Sequence, residues 1–336
     1  MPDAADPEAS AELASGFLTD RAIDAGGRVL SWIDPDCTGY PYPEIGGYML
    51  SWLAQHAPLE RALEVGRPVM TWLGRAQRAD GGFGRDGATY TFDSAVVLRG
   101  ASEWSRATGA APSLDVRACL DAVARGLGHE RARYPEDEKS PSDHWSQSFG
   151  AHLLKLELCL SRTARARPEL LPPISVAREP LESLRRLQGT DGRFVDHADT
   201  DATYLHAHAY AVEGLVGLGR EARDRALDGA RWLASVQQAD GGLLARHDGR
   251  RAFGAPHVDA TAQAVRLWGV LDRREFAEPA RRALAWLRDL QTPDGSLPYE
   301  PEHPHRNTWC TLFAHQAFTV WALAADADAD ASVDPI

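Results

Sequence analysis

Apolar residues recur along this chain at helical spacing. In RRALAWLRDLQ, Ala283, Leu284, Leu287 and Leu290 fall on one face, the pattern of an amphipathic helix. A second kind of segment is more apolar all round and rich in small residues. Examples are FDSAVVLRGASEW from Phe92, YLHAHAYAVEGLVGL from Tyr204, VDATAQAVRLWGVL from Val258 and NTWCTLFAHQAFTVWAL from Asn307. Such segments suit helices shielded by others. The two kinds alternate, and a heptad of the form Gln-x-x-Asp-Gly-x-apolar links them. It occurs at Gln77–Phe83, Gln188–Phe194, Gln237–Leu243 and Gln291–Leu297. Asp-Gly supplies a positive-φ position that ends the first helix and turns the chain. Trp-Leu precedes three of the four glutamines, at Trp72-Leu73, Trp232-Leu233 and Trp286-Leu287, and reads as packing.

The spacing of the heptads implies repeats of about 50 residues, with a degenerate copy near Gly126–Tyr134. Outer helices are predicted near 9–33, 59–78, 114–127, 176–188, 222–238 and 275–291. Inner ones are predicted near 43–56, 92–108, 144–162, 204–219, 258–271 and 307–324. Amphipathic helices shielding apolar ones suit a closed ring, and the polar end repeats of an open solenoid are not evident. The expected fold is therefore all-α, a single (α/α)6 toroid over 9–324. A flexible N-terminus (1–8) and a disordered acidic tail (325–336) would flank it. Residues 162–175 carry three prolines and are expected to be irregular, a lid or a linker. Strand signals are limited to short β-branched fragments.

Composition narrows the chemistry. The 336 residues carry a net charge of −12 with no basic block, which argues against nucleic acid as a partner. No apolar run approaches the ~18 residues of a membrane span. The acidic start lacks the pattern of a secretory signal, so a cytoplasmic location is expected. Cys37, Cys119, Cys159 and Cys310 are widely spaced and read as free thiols. Lys139 and Lys155 are the only lysines, no Gly-Lys-Ser/Thr occurs, and a P-loop is excluded. No metal or cofactor is expected.

The Trp-Leu…Gln-x-x-Asp-Gly repeats, with the helix openings HVDATA (257–262) and TFDSAV (91–96), resemble those of the terpenoid-cyclase and protein-prenyltransferase α/α-toroid superfamily. The segment Tyr42-Pro43-Glu44-Ile45-Gly46-Gly47-Tyr48 resembles a loop of a bacterial prenyltransferase-repeat branch associated with polysaccharide biosynthesis. The resemblance covers most of residues 30–324 and implies the toroid. The chain departs from the superfamily's reactive motifs. Its nearest strings to Asp-x-Asp-Asp are Asp199-Thr200-Asp201-Ala202 and His257-Val258-Asp259-Ala260, each without the final Asp. It also lacks a Mg²⁺-binding aspartate cluster and the zinc-binding Asp-x-Cys with a distant His.

In a toroid the inner helices run one way, so their N-termini converge on one face. Their exposed N–H groups and dipoles favour an anionic ligand there. Candidate catalytic residues at this mouth are His206, His257, Asp93, Asp259 and Glu44. Candidate substrate-binding residues are Tyr40, Tyr42, Tyr90, His144, Trp145, Tyr204, Asn307 and Trp309. Aromatic platforms among histidines and carboxylates suit a polyhydroxylated ring. Bland readings stand beside these. Asp93, Asp201 and Asp259 can be N-caps, and Glu44 a first-turn carboxylate. Only one of His206 and His208 can face inward, with His206 nearer the helix start. His303 and His305 either gate the mouth or are solvated.

The expected function is that of a metal-independent acid–base enzyme acting on a sugar or glycan-related, anionic small molecule. Epimerisation, elimination and hydrolysis are all compatible. A terpene cyclase or prenyl-transfer enzyme and a non-catalytic glycan-binding toroid are the alternatives.

Overall fold

The computed structural model describes residues 7–34, 36, 39–133 and 149–322. Along them the two kinds of segment fold as alternating helices. The amphipathic series gives α1 (Pro7–Asp20), α3 (Leu59–Ala76), α5 (Val116–Arg133), α7 (Leu171–Arg178), α9 (Arg223–Ser235) and α11 (Ala277–Leu290). The apolar series gives α2 (Pro43–His56), α4 (Thr91–Thr108), α6 (Lys155–Ala166), α8 (Leu205–Gly217), α10 (Val258–Leu271) and α12 (Thr308–Ala322). Burial follows the sequence pattern. Helix α3 buries only one stripe, including Ala62, Val65, Val69, Met70 and Leu73, whereas α4 is buried from Thr91 through Ser105.

The chain adopts the expected all-α class. Inner helices pack in cyclic order: α2 on α4, α4 on α6, α6 on α8, α8 on α10 and α10 on α12, and α12 returns to α2. Helix α2 thus faces α8 across the ring, and α4 faces α10. Helices α2 and α4 touch backbone to backbone: a Cβ on Gly100 would lie 2.1 Å from the Gly47 carbonyl oxygen, so no larger residue fits without separating them.

The heptads have a common mechanical role. Each Gln amide donates twice, once to its own turn and once to the next outer helix or the loop leading into it. The acceptors are Gly81 and Asp115 for Gln77, Gly192 and Arg225 for Gln188, and Gly241 and Pro279 for Gln237. Gln291 reaches Gly295 and Ser10, and so ties the last outer helix to the first. The heptad glycines sit at φ +87° to +105° against the following outer helix. The final apolar residue then donates its backbone N–H to an inner-helix side chain. Phe83 bonds Ser94, Phe194 bonds His208 Nδ1, Leu243 bonds Thr261 and Leu297 bonds Thr311.

Several expectations need correction. Helix α1 ends at Asp20 rather than near 33. Beyond it the Asp24 carboxylate accepts N–H bonds from Gly26 and Arg28, and a tight turn replaces the helix. Residues 162–175 are not irregular: α6 runs to Ala166, a 3₁₀ turn spans Pro168–Leu170, and α7 follows. Prolines 168, 172 and 173 fall in first turns, where their missing N–H costs nothing. This stretch lies beyond the C-terminal end of α6, away from the inner-helix N-termini, so it is no lid over them.

Strands do occur, as β1 (Thr203–Tyr204), β2 (Leu244–His247) and β3 (Ala252–Pro256) in one antiparallel sheet, and β4 (Leu297–Glu300) with β5 (His303–Asn307) in another. Each is too short for a period-2 pattern to show. Through residue 133 the region assigned to a degenerate heptad is still α5. Its last residue lies outside the described residues, as do both flanking tails beyond positions 7–8.

Candidate active site

The inner-helix N-termini open onto a cavity of about 450 Å³. Its walls hold Glu44 of α2; Phe92 and Asp93 of α4; His152 before α6; His206 and Tyr210 of α8; Asp259 of α10; and Trp309 of α12. Loops and hairpins add Trp32, Tyr40, Tyr42, Arg85, Tyr90, Tyr204, Tyr299 and Asn307. Nine of these side chains are Trp, Tyr or Phe. The N-caps of α2, α4, α8 and α10 are Tyr42, Tyr90, Tyr204 and His257, none of which caps with its side chain. Asp93 and Asp259 sit inside the first turns instead, so neither is an N-cap. Asp201 is an exposed loop residue.

One wall carries a carboxyl pair. Close packing of α2 on α4 brings Glu44 beside Asp93, and both are buried. Burial pushes Asp93 up to about 7, against opposing pulls from a Tyr42 hydrogen bond and the Arg85 charge. Burial and then the Asp93 charge hold Glu44 well above the usual carboxylate range, while the Trp309 indole N–H donates to it. Two like charges cannot both form cheaply at this spacing, so the pair retains a proton near neutral pH. The Asp93 Oδ2 atom has no hydrogen-bond partner among the described residues.

The opposite wall carries a His–Asp pair. His206 Nδ1 lies 3.3 Å from Asp259 Oδ2, and the imidazole packs 4.2 Å from the Tyr210 ring. Burial lowers the His206 pKa, partly offset by the Asp259 charge, so the ring is neutral at pH 7 and able to take a proton. Its neighbour two residues on has another role. His208 accepts from the Phe194 N–H through Nδ1 and bonds the Gly229 carbonyl through Nε2, which makes it a structural residue. Below both pairs the cavity is floored by a 2.9 Å hydrogen bond from Tyr48 of α2 to Tyr210 of α8.

His257 is not among the lining residues. It packs against the rings of Tyr204 and Tyr299, with Nδ1 3.5 Å from the Tyr204 hydroxyl and 3.9 Å from Asp259, and with Nε2 3.9 Å from Glu300. His303 is largely exposed beside Glu300, and His305 lies 3.7 Å from Asp34. His144 and Trp145 lie outside the described residues. The other candidates, Tyr40, Tyr42, Tyr90, Tyr204, Asn307 and Trp309, all line the cavity.

Sequence reasoning missed Trp32, Arg85, Phe92, His152, Tyr210 and Tyr299. One signal could have found Phe92. Counting back two residues from the inner-helix anchors Ser94, His208, Thr261 and Thr311 gives Phe92, His206, Asp259 and Trp309, and all four line the cavity. Among the described residues no group of three or more His, Cys, Asp or Glu is placed to hold a metal ion, and no helix is long and apolar enough to cross a membrane. Cys119, Cys159 and Cys310 are free and buried.

Known structures share this architecture. An unsaturated glucuronyl hydrolase specific for heparin superposes with a TM-score of 0.68 at 13% identity, covering 96% of this chain and 98% of that one. A sugar epimerase from a ruminal bacterium gives 0.67 at 12% identity, covering 93% and 98%. A type II terpene cyclase from Scytonema, in complex with its product merosterolic acid A, gives 0.61 at 16% identity, covering 96% and 99%. The fold is an α/α toroid. No protein-family model matches the chain, and no curated protein matches it. At these identities the likeness concerns fold alone.

Proposed function

We propose that this toroid is an enzyme acting on a sugar or glycan-related small molecule by general acid–base chemistry. The observation that carries the reading is the pairing of a proton-holding carboxyl couple, Glu44 and Asp93, with a neutral imidazole, His206, on the opposite wall of one cavity. Environments that push titratable groups apart in this way assign acid and base roles. Asp93, with Glu44 sharing its proton, serves as the general acid. His206, oriented by Asp259, accepts the proton removed from the substrate or from an attacking water. His257 acts through Tyr204 and Asp259 as a positioning residue.

Two further features favour a sugar. The edge-to-face chain Tyr40–Tyr42–Trp309, with centroids 5.7–5.8 Å apart, offers aromatic surface to the C–H face of a pyranose. Asn307, His152 and the tyrosine hydroxyls lie among the rings to meet its hydroxyls. The glucuronyl hydrolase and the sugar epimerase show that the fold accommodates such substrates. The closed floor suits a single ring or a chain end.

A second reading rests on a specific observation as well. Nine aromatic residues around a protonated carboxyl pair would also suit protonation of an isoprenoid alkene, and the terpene cyclase shares the fold. Bases such as His206 inside the cavity would intercept a carbocation, which places this reading second. A thermal-shift screen separates the two. A ligand at about 100 times its dissociation constant adds about 2.7 kcal/mol. Stabilisation by sugars, uronates or nucleotide sugars supports the acid–base reading. Stabilisation by prenyl diphosphates alone, with consumption of geranyl or farnesyl diphosphate, overturns it.

A further inference from the structure

Arg85 is the one cationic side chain among the residues lining the cavity, and its position is built. Phe83 and Tyr90 bridge as an antiparallel pair, and the Ala88 N–H donates to the Arg85 carbonyl at 2.9 Å. Between them Asp86 and Gly87 both take positive φ, +53° and +80°, as a type I′ hairpin requires and as Asp-Gly readily adopts. The hairpin tip sets the guanidinium 5.7 Å from the Tyr40 ring centroid and 5.6 Å from that of Tyr42. Nη1 donates to the Tyr40 hydroxyl at 3.1 Å, and Tyr90 supplies a second hydrogen bond. The nearest carboxylate in an ion pair is Asp86, 3.5 Å from Nε and mostly in solvent, where pairing is weak.

We propose that Arg85, held over Tyr40 and Tyr42, is the subsite for an anionic group on the substrate, which makes the substrate an acidic sugar. This rests on the sugar reading above and names its class. A planar guanidinium already held by aromatic faces recognises a carboxylate, sulfate or phosphate in a bidentate fork. The site lies beside the N-terminus of α4, whose dipole adds to the attraction. Because Glu44 and Asp93 retain a proton between them, the cavity does not cancel this positive charge with two carboxylates.

The test compares matched sugars differing by one group, at constant ionic strength: glucose with glucuronate, galactose with galacturonate and mannose with mannuronate. Glucose 6-phosphate and glucose 6-sulfate distinguish a carboxylate from the other anions. Calorimetric titration of the wild type should give at least one acidic sugar bound about tenfold or more tightly than its neutral partner, equivalent to about 1.4 kcal/mol. Arg85→Gln should erase that gap while leaving the neutral sugar's affinity unchanged. Arg85→Lys should keep part of it. Equal affinity for every acidic and neutral pair, or a gap that survives in Arg85→Gln, overturns the subsite and leaves the sugar reading standing. If no sugar of either kind binds while a prenyl diphosphate does, the sugar reading falls and the subsite falls with it.

Discussion

The chemistry of the cavity turns on Asp93, whose environment makes opposite demands on activity and stability. Its folded pKa, about 7, lies above the 3.8 of an unperturbed carboxyl, so the native state binds more protons than the unfolded one between those values. Stability therefore falls as pH rises from about 4 to 7, by on the order of a few kcal/mol, and the deficit persists above 7. Asp93→Asn keeps the shape and removes the charge. It should raise the melting temperature at pH 8 relative to pH 4.5, and lower kcat by about 10²-fold or more. In the wild type, kcat/KM should decline as Asp93 deprotonates above about 7, and should also decline at acid pH as His206 protonates below its ordinary 6.5. An alkaline limb that survives in Asp93→Asn would assign the acid role elsewhere. Much of this site was legible beforehand. Glu44, Asp93, His206 and Asp259 are polar residues at the openings of otherwise apolar helices, and burying them there has a cost that invites a functional reason. Tyr210 was hidden because its partner Tyr48 is 162 residues away across the ring. Tyr299 and Trp32 were hidden because short strands and bridges place them, beyond the reach of local periodicity.

At the scale of elements, helix alternation was legible because the amphipathic and fully apolar patterns differ over windows of ten residues or more. Helix ends and hairpins were not. The stop of α1 depends on one Asx turn at Asp24, and the hairpins feeding α10 and α12 carry strands of four or five residues. The heptad's mechanism was legible only in part. Asp-Gly announced a turn, but nothing local shows that the Gln amide reaches the start of the next outer helix. That reach gives a prediction. Gln237→Ala removes two buried-side bonds, to Gly241 and Pro279, and should cost about 1–3 kcal/mol. Gly241→Ala should cost more, because its Cβ would lie 2.3 Å from the Arg282 carbonyl oxygen at φ +105°. Denaturant melts of the two variants should rank in that order. Near-wild-type stability in Gly241→Ala would mean that α11 shifts freely and that the heptad does not fix the spacing of outer helices.

Across the whole molecule, the centre of the ring is ionic rather than apolar. Beneath the Tyr48–Tyr210 floor, Lys155 of α6 and Arg266 of α10 both pair with Glu213 of α8, which is fully buried. Arg266 also donates to Gln316 of α12 at 2.6 Å, and Lys155 Nζ sits 5.3 Å from the Tyr210 ring centroid. Four inner helices thus converge on one carboxylate, which links the cavity floor to ring closure. Desolvation makes such a cluster a poor source of net stability, but removing one sign from it is expensive because the remaining charge stays buried. The two kinds of removal are unequal here. Lys155→Met takes away one cation and leaves Glu213 neutralised by Arg266. Glu213→Leu leaves Lys155 and Arg266 facing each other with no counter-charge, a loss on the order of 3–5 kcal/mol. Glu213→Leu should therefore lower the melting temperature far more than Lys155→Met. The double variant should recover part of the Glu213→Leu loss, since it removes one of the stranded cations. A double variant as unstable as the sum of the singles would show that Lys155 and Glu213 act independently, and that the centre of the ring is held by its packing rather than by this charge cluster.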